Sequence, residues 1–431
     1  IGREFHGIWG DFNVNISIDK DYMIGGTGTL QNAQEIGFGY EDPKKPIKQS
    51  NGGGKLTWEF SAKNVHDFAW AADKDFIHHT TQLNNGMTLH FIHKDDSLNQ
   101  NWLDLESYAK KCFQYVNANY GEYPYENYSI IQGGDGGMEY PMCTLITSGG
   151  SFKGLVSVTV HESIHSWFQG LLGTNESKYE WMDEGFTSYI SKLAVDKILE
   201  ENKLFPLSGS YNSYLKLARS GFEQPQATNA NRYDYNMAYE STAYSKGAVF
   251  LAQLGYIIGQ ENLSKTIKEY FRLHKFTHPT PNDFRRVAER VSGIQLKWYL
   301  TDWTQTTNQI DYGIKSIDEI DNKTHITLNR IGSMPMPLDV LINYSDGTYE
   351  IQYIPISLMR GEKKNPYSFP SWSVKSDWAW SMPEYLIVLN HPKNEIVSII
   401  IDPTGYMADV NRNNNEFFKP LEANDKEKVK K

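Results

Sequence analysis

Phe12, Val14, Ile16 and Ile18 alternate with polar neighbours, a period of two that predicts a half-buried strand. Leu56, Trp58 and Phe60 repeat the pattern, so residues 1 to about 95 read as β. Between the runs lie Gly25-Gly26-Thr27-Gly28 and Asn51-Gly52-Gly53-Gly54. Neither has phosphate-loop spacing, and both read as turns. The period then changes. Leu105, Tyr108, Ala109, Cys112, Phe113 and Val116 recur at three and four residues, one face of a helix. Residues 155–172, 181–199 and 240–258 also read as helices, and Thr280-Pro281-Asn282-Asp283 opens another with Pro in its first turn. From about 310 the period returns to two. Ile326 and Leu328 share a face, and Asp346-Gly347 divides Val340–Tyr344 from Tyr349–Ile354 as a hairpin turn does. Leu386–Leu389 and Ile396–Ile401 read as a further strand pair. The order predicts a multidomain α+β chain: a β part at 1–95, a helical block at 96–308, a β module at 309–410 and a mixed-charge tail at 411–431.

Composition narrows the function classes. Lys and Arg number 42 against 52 Asp and Glu, a net charge of −10 that argues against a nucleic-acid surface. No apolar run reaches the roughly 18 residues of a membrane span. Two cysteines, Cys112 and Cys143, exclude a disulfide scaffold and a Cys-rich metal site. Cys112 sits on the helical stripe and reads as an inert buried thiol. The chain starts at Ile1, so it reads as a processed product or part of something longer. That start and the low Cys content favour an exported bacterial protein, periplasmic or in the cell envelope, with the cytoplasm left open.

The informative stretch is Val160-His161-Glu162-Ser163-Ile164-His165-Ser166-Trp167. Residues four apart on a helix project together, so His161 and His165 can share one ion. Neutral imidazole is a natural zinc ligand, and Glu162 is placed to act on a metal-activated water. The same pattern also arises by chance as two helical His with a surface Glu. Three features count against chance. Leu155, Val156, Val158 and Val160 make the helix apolar, and buried His and Glu need partners. A second helical segment carries Trp181-Met182-Asp183-Glu184-Gly185-Phe186, with Glu184 nineteen positions after His165. Two His and one Glu leave a zinc position open, the mark of a catalytic site.

These residues resemble the zinc signature of the aminopeptidase N family of gluzincins, which includes the leukotriene hydrolase-type bifunctional enzymes. Gly136-Gly137-Met138-Glu139-Tyr140 is similar to the family's G-x-M-E-N motif, and Tyr244-Ser245-Lys246-Gly247-Ala248 to its Y-x-K-G segment. His66-Asp67-Phe68-Ala69-Trp70 resembles the close of its N-terminal β domain, so the resemblance covers residues 1 to about 305. It implies a partial N-terminal β-sheet domain, a mostly helical thermolysin-like zinc peptidase domain and a C-terminal β domain in place of the family's large helical one. Tyr140 stands where Asn is usual, and Asp183 where Asn is common.

The resemblance implies one zinc per chain on His161, His165 and Glu184. Glu162 is then the general base and Tyr244 the donor to the oxyanion. Glu139 would bind the free α-ammonium group of a peptide, with Gly136, Gly137 and Met138 beside it and Tyr239 near the pocket. The implied partners are peptides with a free N-terminus, without nucleic acid or a transmembrane segment. Alternatives are a bifunctional zinc hydrolase with epoxide hydrolase activity, an internal-cutting metalloprotease, and a catalytically weak fragment acting as a peptide-binding module. His78-His79 and His90-x-x-His93 lack acidic partners at ligand spacing and read as packing. Glu176, between the two metal-site helices, reads equally as a ligand-orienting group or a turn residue. Trp167 reads as core, with packing on the ligands as its other role. The C-terminal β unit reads as a cap on the catalytic block rather than a recruiting module.

Overall fold

The computed structural model describes residues 6–48, 53–134, 136–147, 150–368 and 371–420. The chain divides into two compact units. The first holds residues 1–209, 229–232 and 267–283; the second holds 210–228, 233–266 and 284–431. The observed order is β, then mostly α, then β, a multidomain α+β architecture.

In the first unit, β1 (Gly10–Asp19) alternates half-buried and exposed along its length, as its sequence period requires. The strands β2 (Met23–Gly26), β3 (Thr29–Leu30), β4 (Lys55–Val65) and β5 (Trp70–Asp73) follow, with a single helical turn, α1 (Ala33–Ile36), between β3 and β4. Strand β4 pairs antiparallel with both β1 and β3. Gly25 and Gly26, expected in a turn, lie inside β2. A Cβ on Gly25 would stand 2.4 Å from Ile92 Cδ1, and one on Gly26 2.7 Å from the Ala69 carbonyl oxygen. Close packing, not a bend, asks for glycine there. Of the other glycine cluster, Asn51 and Gly52 lie outside the described residues. Gly54 accepts from the Lys20 amide at 3.0 Å, closing the connection into β4.

A mixed five-stranded sheet positions the site. Its order is β6 (Phe76–Gln82), β7 (Thr88–Lys94), β8 (Asn127–Gln132), β10 (Cys143–Ile146), β9 (Gly137–Tyr140). Strand β9 is at the edge, antiparallel to β10. Helix α2 (Asn99–Asn119) buries Trp102, Leu105, Ala109, Cys112, Phe113 and Val116, the predicted stripe extended by one turn but without Tyr108, which is half-buried. Helices α3 (Phe152–Phe168) and α4 (Glu176–Ile198) pack on each other, and α3 also packs on α2, β9 and β10.

After α5 (Ser208–Ser220), the expected helix 240–258 is interrupted. It consists of α6 (Asn236–Glu240), a π-helical segment at Ser241–Lys246, and α7 (Gly247–Ile258). Helices α8 (Gln260–His274), α9 (Pro281–Ser292) and α10 (Lys297–Gln305) complete the helical stretch. The proline-led start of α9 is where the cap signal put it.

The last part of the second unit is β. One sheet is β11 (Tyr312–Ile320), β12 (Lys323–Arg330) and β16 (Glu384–Leu389). The other contains β13 (Leu338–Tyr344), β14 (Tyr349–Ile354), β15 (Trp372–Val374), β17 (Ile396–Ile401) and β18 (Glu416–Phe418), in the order β15-β14-β13-β17-β18. The β13–β14 hairpin turns at Asp346-Gly347, with Gly347 at φ 86°. The strand pair expected from 386–389 and 396–401 is corrected: the two strands belong to different sheets. Strand β16 pairs with β12, and β17 with β13. Their burial differs accordingly. Only one face of β16 is buried, while β17 buries Ile396, Ser398, Ile399 and Ile401 as an interior strand. The module shares its compact unit with α7, whose buried Gln253 donates to the Tyr406 carbonyl at 2.7 Å and accepts from the Ala408 amide at 3.0 Å.

Candidate metal centre

Helix α3 starts at Ser151, whose hydroxyl accepts from the Gly154 amide at 3.1 Å, an N-cap that sets its register. Leu155, Val156, Val160, Ile164, Trp167 and Phe168 are buried along it. So are Glu162, Ser163 and His165, which makes this helix interior almost all round. Trp167 packs on Phe113 and Tyr123 and donates to the Gly121 carbonyl at 2.7 Å, so its role is core.

Helix α4 brings a second row of polar groups to α3. His161 Nε2 and His165 Nε2 stand 3.1 Å apart, and each is 3.3 Å from Glu184 Oε2. Three donor atoms thus form a triangle with sides of 3.1–3.3 Å. Tetrahedral zinc with bonds of ~2.0–2.1 Å puts its ligand atoms ~3.3 Å apart, so the triangle has the size of one face of that tetrahedron. The far nitrogen of His165, Nδ1, meets Asp183 Oδ1 at 2.5 Å and Thr187 Oγ1 at 3.3 Å. That contact assigns the Nδ1 proton to the Asp183 side and leaves the Nε2 lone pair facing the triangle. His161 Nδ1 lies 3.4 Å from Ser191 Oγ, a looser support.

Two imidazole lone pairs and a carboxylate converging at this range repel one another unless a cation lies between them. The ionisation of these groups expresses the same demand. Burial opposes charge on His165, but Asp183, Glu139 and Glu184 outweigh it and push the imidazole well above its usual range. Burial pushes Glu184 up, yet His165 and His161 reverse this and hold it well below the usual carboxylate range. Glu162 is raised by burial, partly offset by the two His. Its Oε2 is buried with no hydrogen-bond partner among the described residues. The donor chemistry, the triangle and this orphaned oxygen all fit a divalent ion with its ligand set.

Glu139, on edge strand β9, is brought to the same place. It forms close three-carboxyl or mixed groups with Glu162 and His165, and with Asp183 and Glu184, ligand atoms lying within 4.8 Å of one another. Its carboxyl is pushed well above the usual range by burial, with Asp183, Glu184 and Glu162 adding to the effect. Gly137, two residues earlier, is the point of closest approach: a Cβ there would stand 2.2 Å from Glu162 Oε1. Gly136 adopts φ 58° and is exposed, and its carbonyl accepts from the Thr147 amide at 2.7 Å. The Met138 carbonyl accepts from Thr144 Oγ1 at 2.9 Å.

Tyr239 and Tyr244 belong to the second unit. Tyr239 is buried in α6, its ring 5.6 Å from that of Tyr233. Tyr244 is half-buried in the π-helical segment, a conformation found mostly as single bulges and often at functional sites. Glu176 accepts from Gln169 Nε2 at 3.0 Å, tying the end of α3 to the first turn of α4. It is in no three-donor group, nor are His78, His79, His90 and His93, among the described residues. His78 Nε2 instead meets His90 Nδ1 at 2.9 Å, and His79 faces Glu106 at 3.2 Å. The supporting roles of Thr187 and Ser191, and the close approach of Gly137 to Glu162, were not read from the sequence. Thr187 lies four residues after Asp183 and Ser191 seven after Glu184, so helical spacing carried a signal for both.

Residues 104–303 match the family model described as the Peptidase family M1 domain. The chain is 29% identical over 172 residues to "Aminopeptidase M1-D" of Oryza sativa subsp. japonica, covering 39% of this chain and 20% of that protein. It is 25% identical over 218 residues to "Glutamyl aminopeptidase" of Bitis rhinoceros, covering 47% and 22%. The chain therefore spans about a fifth of the length of these relatives. Among solved structures it is similar to Legionella pneumophila aminopeptidase A in complex with aspartic acid, with a TM-score of 0.64 and 12% identity, over 93% of this chain and 44% of that one. That likeness is one of fold. Among the described residues, no helix is long and apolar enough to cross a membrane.

Proposed function

We propose, from the match of residues 104–303 to the Peptidase family M1 domain, that this chain is a zinc-dependent aminopeptidase acting on peptides with a free N-terminus. The observation that carries the reading is the meeting of Glu139 with the His161–His165–Glu184 centre. A peptide's α-amine is separated from its first carbonyl carbon by one Cα, less than the ~3.8 Å between consecutive Cα atoms. A fixed anion that close to a metal centre selects the terminal bond. An internal segment, which has no ammonium group, would leave that carboxylate buried and unpaired.

His161, His165 and Glu184 would hold the zinc, and Asp183 keeps His165 in the tautomer that can bind it. When bound, zinc supplies the Lewis acidity that makes water a nucleophile near neutral pH and polarises a carbonyl. Glu162 takes the proton of the attacking water and passes it to the leaving amine. Glu139 pairs with the α-ammonium group. The outer edge of β9, at Gly137, offers backbone groups to an extended peptide, as strand addition does, while the carbonyls of its neighbours Gly136 and Met138 are taken by Thr147 and Thr144. Tyr244 donates to the oxygen on which negative charge develops, a role that rests on its Y-x-K-G motif. Tyr239 is assigned to the pocket wall on the same basis.

The test is mass spectrometry of a free-amine peptide and its N-acetylated twin, each incubated with zinc-loaded protein. Stepwise loss of N-terminal residues from the free peptide alone is expected. Equal internal cutting of both peptides would replace the reading with an endopeptidase. Binding without cutting, unchanged in Glu162→Gln, would replace it with a peptide-binding module.

A further inference from the structure

The Tyr244-Ser245-Lys246-Gly247 motif contains a residue with no part in these steps, Lys246. It closes the π-helical segment Ser241–Lys246, and its side chain is 1% exposed. Its ammonium group donates to Glu223 Oε1 at 2.8 Å, and the Glu223 side chain is itself 4% exposed. Two aromatic faces complete the surroundings: Lys246 Nζ lies 5.9 Å from the Tyr214 ring centre and 5.8 Å from that of Trp303. Burial lowers the Lys246 ammonium from its usual range, and Glu223 opposes that.

Glu223 is not a loose partner. Its connection, between α5 and α6, is tied down at several points. Trp303 Nε1 donates to Gln226 Oε1 at 3.0 Å, the Ala227 amide donates to the Thr304 carbonyl at 2.7 Å, and the Asp234 amide donates to Gln224 Oε1 at 2.9 Å. The other end of the π-helical segment is also held, since Ser213 Oγ on α5 donates to Ser241 Oγ at 3.3 Å. Tyr244 lies between these two anchors.

The competitor of a π-helical turn is the α-helix of the same residues, the conformation that their pattern predicts over 240–258. A π-turn holds one extra residue. Relaxing it to α would rotate the residues before it, relative to α7, by up to ~100°. A phenol within that turn would lose its aim.

We propose that the buried Lys246–Glu223 pair is the positioning device for Tyr244, holding the π-helical turn in the shape that aims the phenol. This rests on the role of Tyr244 proposed above. Lys246 and Glu223 are positioning residues, acting through Tyr244 without touching substrate. Loss of either would then lower turnover while leaving the amine-reading and metal-holding groups in place.

The experiment is a double-mutant cycle of Lys246→Met and Tyr244→Phe on a free-amine peptide substrate, below the melting temperature of each variant. Lys246→Met is expected to lower kcat by roughly 10–100-fold with KM little changed, the size of a misplaced group's effect. In the Tyr244→Phe background it should lower kcat by less than about threefold, because the group it positions is gone. Multiplying effects in the two backgrounds, or a lower Tm with kcat intact, would overturn the proposal. If Lys246→Met does not fold, Glu223→Gln takes its place in the cycle with the same expectations. Amide exchange of residues 241–246 separates this proposal from the aminopeptidase reading. Faster exchange there than in α7 of the variant supports the positioning role even in a protein with no peptidase activity. Exchange equal to wild type in both segments overturns it.

Discussion

Buried charge is arranged in opposite ways in the two units. In the second unit two buried charges of each sign close on one another. Lys246 meets Glu223 at 2.8 Å, and Lys363 meets Asp339 at 2.6 Å with Tyr256 and Tyr353 ring centres 4.4 and 5.0 Å from its ammonium group. Each of these two acids has its base, and the buried Asp409 is met by the Tyr312 and Asn411 amides and by Asn415 Nδ2. In the first unit Glu139, Glu162, Asp183 and Glu184 converge on two imidazoles, and the acids exceed the bases. A closed pair is finished chemistry, able to hold a fold. An excess of buried donors is unfinished, and an incoming cation completes it, whether a metal ion or a substrate ammonium group. Burial alone therefore does not mark a reactive site; burial with an unbalanced donor set does.

The largest effect that would sharpen this contrast lies at Glu162. Glu162→Gln should keep its zinc and lose roughly 10²–10⁴-fold in kcat, the range for removing a general base. Metal analysis alongside the kinetics checks both parts; an active Glu162→Gln would break the assignment. In the second unit, Lys363→Met leaves Asp339 buried without its cation. It should cost about 3–5 kcal/mol in denaturant unfolding, with activity per folded molecule unchanged. A loss of activity in the folded fraction would blur the distinction between the two kinds of charge.

Asp183→Ala removes the group behind His165 and should weaken zinc binding by roughly 10–100-fold, measured by competition with a chromogenic chelator. Gly137→Ala should fold, because β9 is an edge strand, but its Cβ displaces Glu162. A fall in kcat of roughly tenfold with zinc retained is expected, and wild-type kcat would show that the strand yields instead.

A separate test concerns pH. Burial pushes His78 down to about 4 and His90 down to about 3, the neighbouring His79 and His78 respectively adding to this. The native state keeps both imidazoles neutral, while the unfolded chain takes up protons near pH ~6.5. The stability they contribute is full above that value and is lost as pH falls from it towards the folded values. Calorimetry between about pH 7 and pH 5 should show Tm dropping, and His90→Gln should flatten the drop. An equal slope in the variant would place the acid sensitivity elsewhere.

Legibility in the sequence follows the range of the interactions. Strand β1, the α2 stripe and the 346–347 hairpin were readable because one buried face imposes a local period. The His161–His165 pair was readable for a related reason, since helical spacing alone puts both on one face. The distribution of 386–389 and 396–401 between two sheets was not, because their partners β12 and β13 lie more than fifty residues upstream. Gly25 and Gly26 looked like a turn because the cause of their small size, Ile92 and the Ala69 carbonyl, is equally remote. The π-helical turn was hidden for the same reason. Its residues carry a helical pattern, and what accompanies the departure from it is a carboxylate twenty-three residues away.

The most direct test of the unbalanced donor set is zinc stoichiometry after stripping and reloading, measured by elemental mass spectrometry on wild type, His165→Ala and Glu184→Ala. One equivalent per chain in wild type and a small fraction of that in both variants is the predicted result. Zinc-free wild type, or variants that hold as much zinc as wild type, would contradict the account.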